Sequence, residues 1–273
     1  MRKVERRAGS GGLLLCALAL GGCGGEGRQG GEPEAPADSA QLLADRVMEA
    51  LGGEEAWESV RFLTFRWVVA RGERTVGRTH AWDRRTGRYR VEYDGREAHH
   101  TAIFNVREVR RDSLLGKIPA GRAWRDAQEV TGAAADSALA RAYSIFINDS
   151  YWLLMPFKWR DPGVHLAYEG RQLLSDRQEY AIVHLTFEPD LGVTEDEYWA
   201  YVDPVTGIMT AWRYHLQNQE EPGPVILWRD WRRVGPIRLA ADREWPDGET
   251  RLYFEDLGTA AEVPEGAFDP PGG

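Results

Sequence analysis

Cysteine is nearly absent from this chain. Its 273 residues hold two, Cys16 and Cys23. Everything after residue 23 therefore lacks a disulfide, a thiol nucleophile and a cysteine-based metal site, and must draw its stability from a core. The apolar run from Leu13 to Leu20 is too short to cross a bilayer as a permanent helix. The six histidines are scattered, with no HExxH spacing. His80, His165, His184 and His215 fall on separate strand-like segments, and His99-His100 would point to opposite faces of one strand. No P-loop, GxGxxG or GxSxG element is present. Basic charge is also short, with 34 Lys and Arg against 43 Asp and Glu, a net of −9. The first 22 residues hold four basic residues and one acid, which leaves −12 for the remainder. So acidic a chain suits neither nucleic acid nor a purely electrostatic hold on anionic lipid.

The N-terminus is richer. Arg2, Lys3, Arg6 and Arg7 precede the apolar run, the layout of an export signal. The pair Arg6-Arg7 lacks the rest of a twin-arginine motif, so it reads as simple positive charge. The run closes on Leu20-Gly21-Gly22-Cys23, which resembles the bacterial lipobox. That resemblance implies cleavage before Cys23, a signal peptide over residues 1–22, and lipid on the Cys23 sulfur. Buried acyl CH₂ groups at about 0.8 kcal/mol each would then hold the protein to a membrane. The bland alternative is an ordinary signal peptide with an incidental cysteine. Residues 23–37, rich in Gly, Glu and Pro, read as a flexible tether. Gly24 stands where aspartate would mark inner-membrane retention. Resemblance to those sorting rules implies the outer membrane, facing the periplasm.

Residues 38–273 read as a single mainly β domain. At 42% hydrophobic and 11% aromatic, with 11 Trp, the chain can build a core. Asp38 or Ser39 caps a helix in which Leu42, Leu43, Val47, Ala50 and Leu51 recur at helical spacing, ended by Gly52-Gly53. Strand alternation follows in Leu63, Phe65, Trp67 and Val69, and in Tyr89, Val91 and Tyr93. Asp83-Arg84-Arg85-Thr86-Gly87 and Asp203-Pro204-Val205-Thr206-Gly207 read as matching hairpin turns. A helical insertion spans Gly132 to Ile147. After it come Asn148-Asp149-Ser150, the dense run Tyr151 to Trp159, and a turn at Asp161-Pro162-Gly163. Strands are expected around Ile182 to Phe187, Tyr198 to Val202, Ile208 to Leu216, Val225 to Trp231, Ile237 to Ala240 and Arg251 to Phe254. A proline-limited tail, Val263 to Pro271, ends the chain. Without βαβ alternation, the pattern predicts one long antiparallel sheet, strongly curled, with helices in its concave face.

The string Asn148-Asp149-Ser150-Tyr151-Trp152-Leu153-Leu154-Met155-Pro156-Phe157-Lys158, followed by Asp161-Pro162-Gly163-Val164, resembles the signature of a family of exported bacterial proteins of unknown function. Tyr201-Val202-Asp203 with Thr206-Gly207, and Leu51-Gly52-Gly53 with Ala56-Trp57, fit the same family. Together they cover most of residues 40–257. That family is similar in architecture to the LolA/LolB lipoprotein carriers, unclosed β-barrels with a helical lid that hold acyl chains. The resemblance implies an unclosed half-barrel and, by analogy of fold alone, a hydrophobic ligand, lipid or acyl chain. No carrier contact residue maps onto this chain.

Candidate chemistry is weighed against ordinary structure. Trp152, Leu154, Met155, Phe157 and Trp159 are candidates to touch such a ligand, with Asn148, Asp149, Lys158 and Asp161 as a polar patch at the cavity mouth. The plainer reading has Asn148 and Asp149 capping chain ends, Lys158 pairing Asp161, and the aromatics filling the barrel. Trp212 and Tyr214 share a strand face, as do Leu227 and Trp231, while Tyr198 and Trp199 oppose each other; alternation leaves open which face is buried. Glu195-Asp196-Glu197 reads as a solvated loop, and Glu188, Asp190 and Asp196 lack EF-hand spacing. Ser150 has no partner histidine in view. The expectation is a non-enzymatic, membrane-anchored envelope lipoprotein with a hydrophobic ligand and neither cofactor nor metal. The alternatives are an envelope protein-interaction module with a self-filled core, and an envelope hydrolase.

Overall fold

The computed structural model describes residues 38–189, 196–217 and 219–272. The described residues belong to one compact unit. The expected signal, the tether and Cys23 lie outside the described residues, as do Asp190 and Glu195.

Helix α1 (Asp38–Ala50) and the short α2 (Glu54–Ser59) precede a six-strand meander: β1 (Phe62–Arg71), β2 (Arg74–Asp83), β3 (Arg88–Asp94), β4 (His99–Asp112), β5 (Gly116–Arg125) and β6 (Gln128–Val130). Helix α3 (Gly132–Leu154) and a 3-10 turn (Met155–Lys158) follow. A second meander then comprises β7 (Val164–Leu173), β8 (Glu179–Phe187), β9 (Glu197–Val202), β10 (Met209–His215), β11 (Ile226–Val234), β12 (Ile237–Glu244) and β13 (Thr250–Ala260). β13 pairs antiparallel with β1, from Phe62 opposite Ala260 to Arg71 opposite Thr250. The meanders thus join at their roots into one 13-stranded antiparallel sheet, with β6 and β7 as its edge strands. The sheet is not closed into a barrel.

Its curvature follows from what meets across the concave side. β5 and β10 lie eight strand spacings apart in the sheet order, which would be about 40 Å on a flat sheet. Residues 115–117, at the start of β5, nevertheless line the same cleft as Trp212 and Tyr214 of β10. α3, about 34 Å long, links the two ends of the sheet and packs against both β5 and β12. The concave face is therefore largely filled by the chain's own helix.

The alternation foreseen in β1 is realised. Leu63, Phe65 and Trp67 enter the main core, with Val69 packed against it, while Phe62 faces a separate outer cluster with Ile103, Trp124 and Phe268. The proline-limited tail is thus fixed to the outer face through buried Phe268. The two Asp-x-x-Thr-Gly turns are built alike. Asp83 Oδ1 accepts from the Arg85 and Thr86 amides, and Asp203 Oδ1 from those of Val205 and Thr206. Gly87 and Gly207 close them at positive φ.

Three expectations need correction. The insertion helix does not stop at Ile147 but continues through Asn148-Asp149-Ser150 to Leu154, because packing against the sheet outweighs the turn propensity of those three residues. Leu42, placed on the buried stripe of α1, is 61% exposed, while Leu43, Val47 and Leu51 are buried. Leu227 and Trp231 do not share a face. Leu227 joins an outer cluster and Trp231 packs against the inner core, with Asp230 between them at φ 54.

Gly52 ends the first helical region at φ +124, and a Cβ there would sit 2.8 Å from the Pro236 carbonyl oxygen. Gly52→Ala is expected to cost more than about 2 kcal/mol in urea unfolding, from backbone strain plus that collision. Gly72→Ala, at φ +57 with nothing within 4 Å, is the control and should cost about 1 kcal/mol. Equal losses at the two sites would contradict the tight approach at Gly52.

Candidate functional site

One cleft, of about 680 Å³, opens between α3 and the β9–β10 hairpin. Helical spacing places Tyr143, Ile147 and Tyr151 beside Ser144, Asn148 and Trp152, so one face of α3 forms a wall. Tyr198 of β9 with Trp212 and Tyr214 of β10 forms the facing wall, and Leu115 to Lys117 a third side. Trp152 bridges the walls, 4.5 Å from the Trp212 ring and 6.0 Å from Tyr214, edge to face in both cases. Tyr198 lies 5.1 Å from both Tyr151 and Trp212. Such ring arrays combine large apolar area with polar edges.

Two of those edges are unsatisfied. The Trp212 Nε1–H and the Tyr151 hydroxyl are buried without a hydrogen-bond partner among the described residues. Burial drives the Tyr151 phenol well above its ordinary pKa. Tyr198 is raised by burial and then by Asp196, whose carboxylate accepts its hydroxyl at 3.4 Å. Both phenols thus stay neutral donors near pH 7, as the Trp212 indole always is. Buried donors left unpaired are costly and ask for an acceptor.

The expected ligand contacts separate. Trp152 lines the cleft, but Leu154, Met155, Phe157 and Trp159 are buried in the main core. Phe157 stacks on Trp57 at 4.4 Å, and the Trp159 indole donates to the Met155 sulfur at 2.8 Å. The cause is geometric, since the chain leaves α3 for a tighter 3-10 turn at Met155 and dives beneath α1. The polar patch also divides. Lys158 pairs with Asp161 at 2.7 Å near the surface. Asn148 and Asp149 sit inside α3, where they cap nothing, and Asn148 donates to Asp149 Oδ1 at 2.8 Å.

Asp149 belongs to a different constellation. Its side chain is fully buried, with Oδ2 3.1 Å from His80 Nε2 and 3.2 Å from Arg78 Nε. Both approaches are oblique to the hydrogen-bond axes, so the Arg78 contact is chiefly ionic, while the neutral His80 only turns its Nε2–H edge toward the carboxylate. Tyr89 Oη lies 2.8 Å from His80 Nδ1, Phe65 stacks on His80 at 4.4 Å, and Arg78 lies 3.8 Å over the Trp67 ring. The partners assign the tautomer: Tyr89 O–H donates to Nδ1, leaving Nε2–H toward Asp149. Burial lowers the His80 pKa and raises that of Tyr89 well above the phenol range. Hydroxyl, imidazole and carboxylate stand in the order of a nucleophile triad, but Tyr89 is 0% exposed and does not line the aromatic cleft. The arrangement fixes α3 to the sheet.

The sequence reading missed this group. With the helix continued past Ile147, Ala142, Phe146, Asp149 and Leu153 fall on one buried stripe, and a carboxylate on an apolar stripe is the signal that names it. A second missed group is Arg243, fully buried and without a carboxylate in ion-pair contact among the described residues. It donates to the carbonyls of Ala240, Asp242 and, at 2.6 Å, Trp152, and it lies 3.4 Å over the Trp228 ring. A guanidinium on one of the last carbonyls of α3 suits that helix end.

Elsewhere, His184 lies between Glu169 and Glu197, at 3.0 and 2.9 Å, stacked on Trp199. His99 pairs with Asp94 while His100 stacks on Tyr93. No group of three His, Cys, Asp or Glu suited to a metal occurs among the described residues, and no described helix is long and apolar enough to cross a membrane.

The fold and the cleft together describe an open, helix-plugged antiparallel half-barrel with an aromatic mouth. No protein-family model and no curated protein matches the chain. Among solved structures it is similar to a DUF1329 family protein from Desulfovibrio piger, at 10% identity and a TM-score of 0.42, covering 86% of this chain and 97% of that one. It is also similar to MucB, at 11% identity and a TM-score of 0.25, over 85% of this chain and 62% of MucB. The match to the MucA/MucB complex structure of Pseudomonas aeruginosa has the same identity and score and covers 60% of that chain. Likeness at this level does not bear on what the cleft holds.

Proposed function

We propose that this is a non-enzymatic envelope lipoprotein, anchored through lipid on Cys23, that holds a hydrophobic ligand, a lipid or acyl chain, in the aromatic cleft. The half-barrel likeness to LolA/LolB carriers belongs to the same proposal. The observation that carries it is the set of six rings from α3, β9 and β10 around one open cleft, with two donors on its walls lacking partners. Apolar walls with a few placed polar groups are the usual make-up of a small-ligand site. Titrating the purified protein with hexadecanoate should shift its tryptophan emission saturably, and Trp152→Ala should weaken that response at least tenfold. An unchanged spectrum up to the solubility limit of the fatty acid would overturn the reading.

A second reading, a protein-interaction module, is favoured by one observation: α3 already fills most of the concave face. An envelope partner would then bind on the outside, and no acyl ligand would compete with it. The anchor has its own test. Cys23→Ser should move the protein from the outer-membrane to the soluble periplasmic fraction and abolish palmitate labelling. Labelling that survives the substitution, or fractionation of the wild type with the inner membrane, would contradict it.

A further inference from the structure

The cluster around Asp149 joins three elements. Arg78 comes from β2, Tyr89 from β3 and Asp149 from α3, while Phe65 of β1 contributes an uncharged ring. Arg141 of α3 and Tyr93 of β3 act on Arg78 electrostatically from further away. With His80 neutral, Arg78 and Asp149 balance, Tyr89 has an acceptor, and Nε2–H faces a carboxylate. α3, which Asp149 ties down, also supplies one whole wall of the cleft, and Asn148 both lines that cleft and donates to Asp149.

We propose that this cluster is a proton-sensitive latch: uptake of one proton at His80 loosens the seating of α3 and releases what the aromatic cleft holds. The ligand part of this rests on the function proposed above; the latch part does not. Two costs arise on protonation. A third charge enters a buried site, turning one cation and one anion into two cations and one anion. Nδ1 also becomes a donor, so the Tyr89 O–H, 0% exposed, loses its acceptor. The direction follows by linkage. Histidine titrates near 6.5 when unfolded, and burial lowers His80 below that in the fold. The folded state then binds fewer protons. The latch's contribution is complete above about pH 6.5 and is lost as pH falls from there toward the folded value.

The test is hydrogen exchange of the whole chain at pH 7.5 and pH 5.0, expressed as protection factors so that intrinsic exchange cancels. We expect the α3 amides from Leu139 to Leu154 to lose protection at least tenfold in acid, ahead of the central strands. His80→Gln, which keeps a donor and an acceptor but cannot titrate, should abolish the difference. Bound hexadecanoate should leave the wild type over the same pH range. Constant α3 protection, or an equal loss in H80Q, would overturn the latch. If H80Q fails to fold, histidine NMR of the wild type decides: His80 must titrate together with α3 exchange, and titration without it overturns the proposal. Hexadecanoate that never binds at pH 7.5 would overturn the cleft reading and leave exchange to judge the latch alone.

Discussion

Asp149→Ala is expected to cost about 3–5 kcal/mol, because it leaves Arg78 as a largely buried cation with its counter-charge removed. For a domain of this size that corresponds to a fall in Tm of roughly 10 °C. Removing both charges should be milder than removing one. Arg78→Met combined with Asp149→Leu discards the pair and its desolvation together, and should recover a large part of the loss. The comparison separates a charge effect from simple loss of packing, since Asp149→Ala removes few atoms. Thermal unfolding of the two variants beside the wild type would decide it. A single-variant loss below about 1 kcal/mol, or a double variant no better than the single, would show that the cluster does not hold α3.

The second large effect is expected at Arg243. Its guanidinium satisfies three carbonyls at once and stacks on Trp228. Arg243→Ala opens a cavity in the main core and strands those carbonyls away from water, for a loss of about 3–5 kcal/mol. Arg243→Met refills the volume without the donors and should fall between alanine and wild type. Arg243→Lys should also lose stability, because an ammonium neither spans the three acceptors nor stacks flat on an indole. Exchange at the last turn of α3 should rise in all three variants, as the Trp152 carbonyl loses its partner. Stability within about 1 kcal/mol of wild type for Arg243→Ala would contradict this account.

Much of the fold was legible because period-two and period-3.6 patterns were clean. Leu63, Phe65 and Trp67 announced an inward strand face, and the two Asp-x-x-Thr-Gly turns announced hairpins that the Asp83 and Asp203 carboxylates do build. Their absence of βαβ order foretold the antiparallel sheet. What was not legible depended on contacts distant in sequence. Asn148-Asp149-Ser150 has the composition of a helix end, and only the facing Arg78 and His80, about seventy residues earlier, make it helix interior. Edge strand β7 was passed over because it alternates half-buried and exposed residues without a dense apolar side. Arg243 follows Ile237, Leu239 and Ala240 of the main core on the same strand, a position at which a charge reads as an interruption until its three acceptors are seen. The site was legible only in part for the same reason. Trp152 stands out in a local run of aromatics, whereas its cleft partners Tyr198, Trp212 and Tyr214 come from strands about 45 to 60 residues on.

The central claim is that the cleft between α3 and the β9–β10 hairpin holds an acyl-chain ligand. Native mass spectrometry tests it most directly, with the purified protein exposed to an envelope lipid extract and then stripped of free lipid. The wild type should retain one ligand of lipid mass. The variant with both Trp152→Ala and Tyr214→Ala, two half-buried residues packed against the edge of the main core rather than within it, should remain folded and lose at least nine-tenths of it. An apo mass for the wild type, or equal retention by the double variant, would contradict the claim.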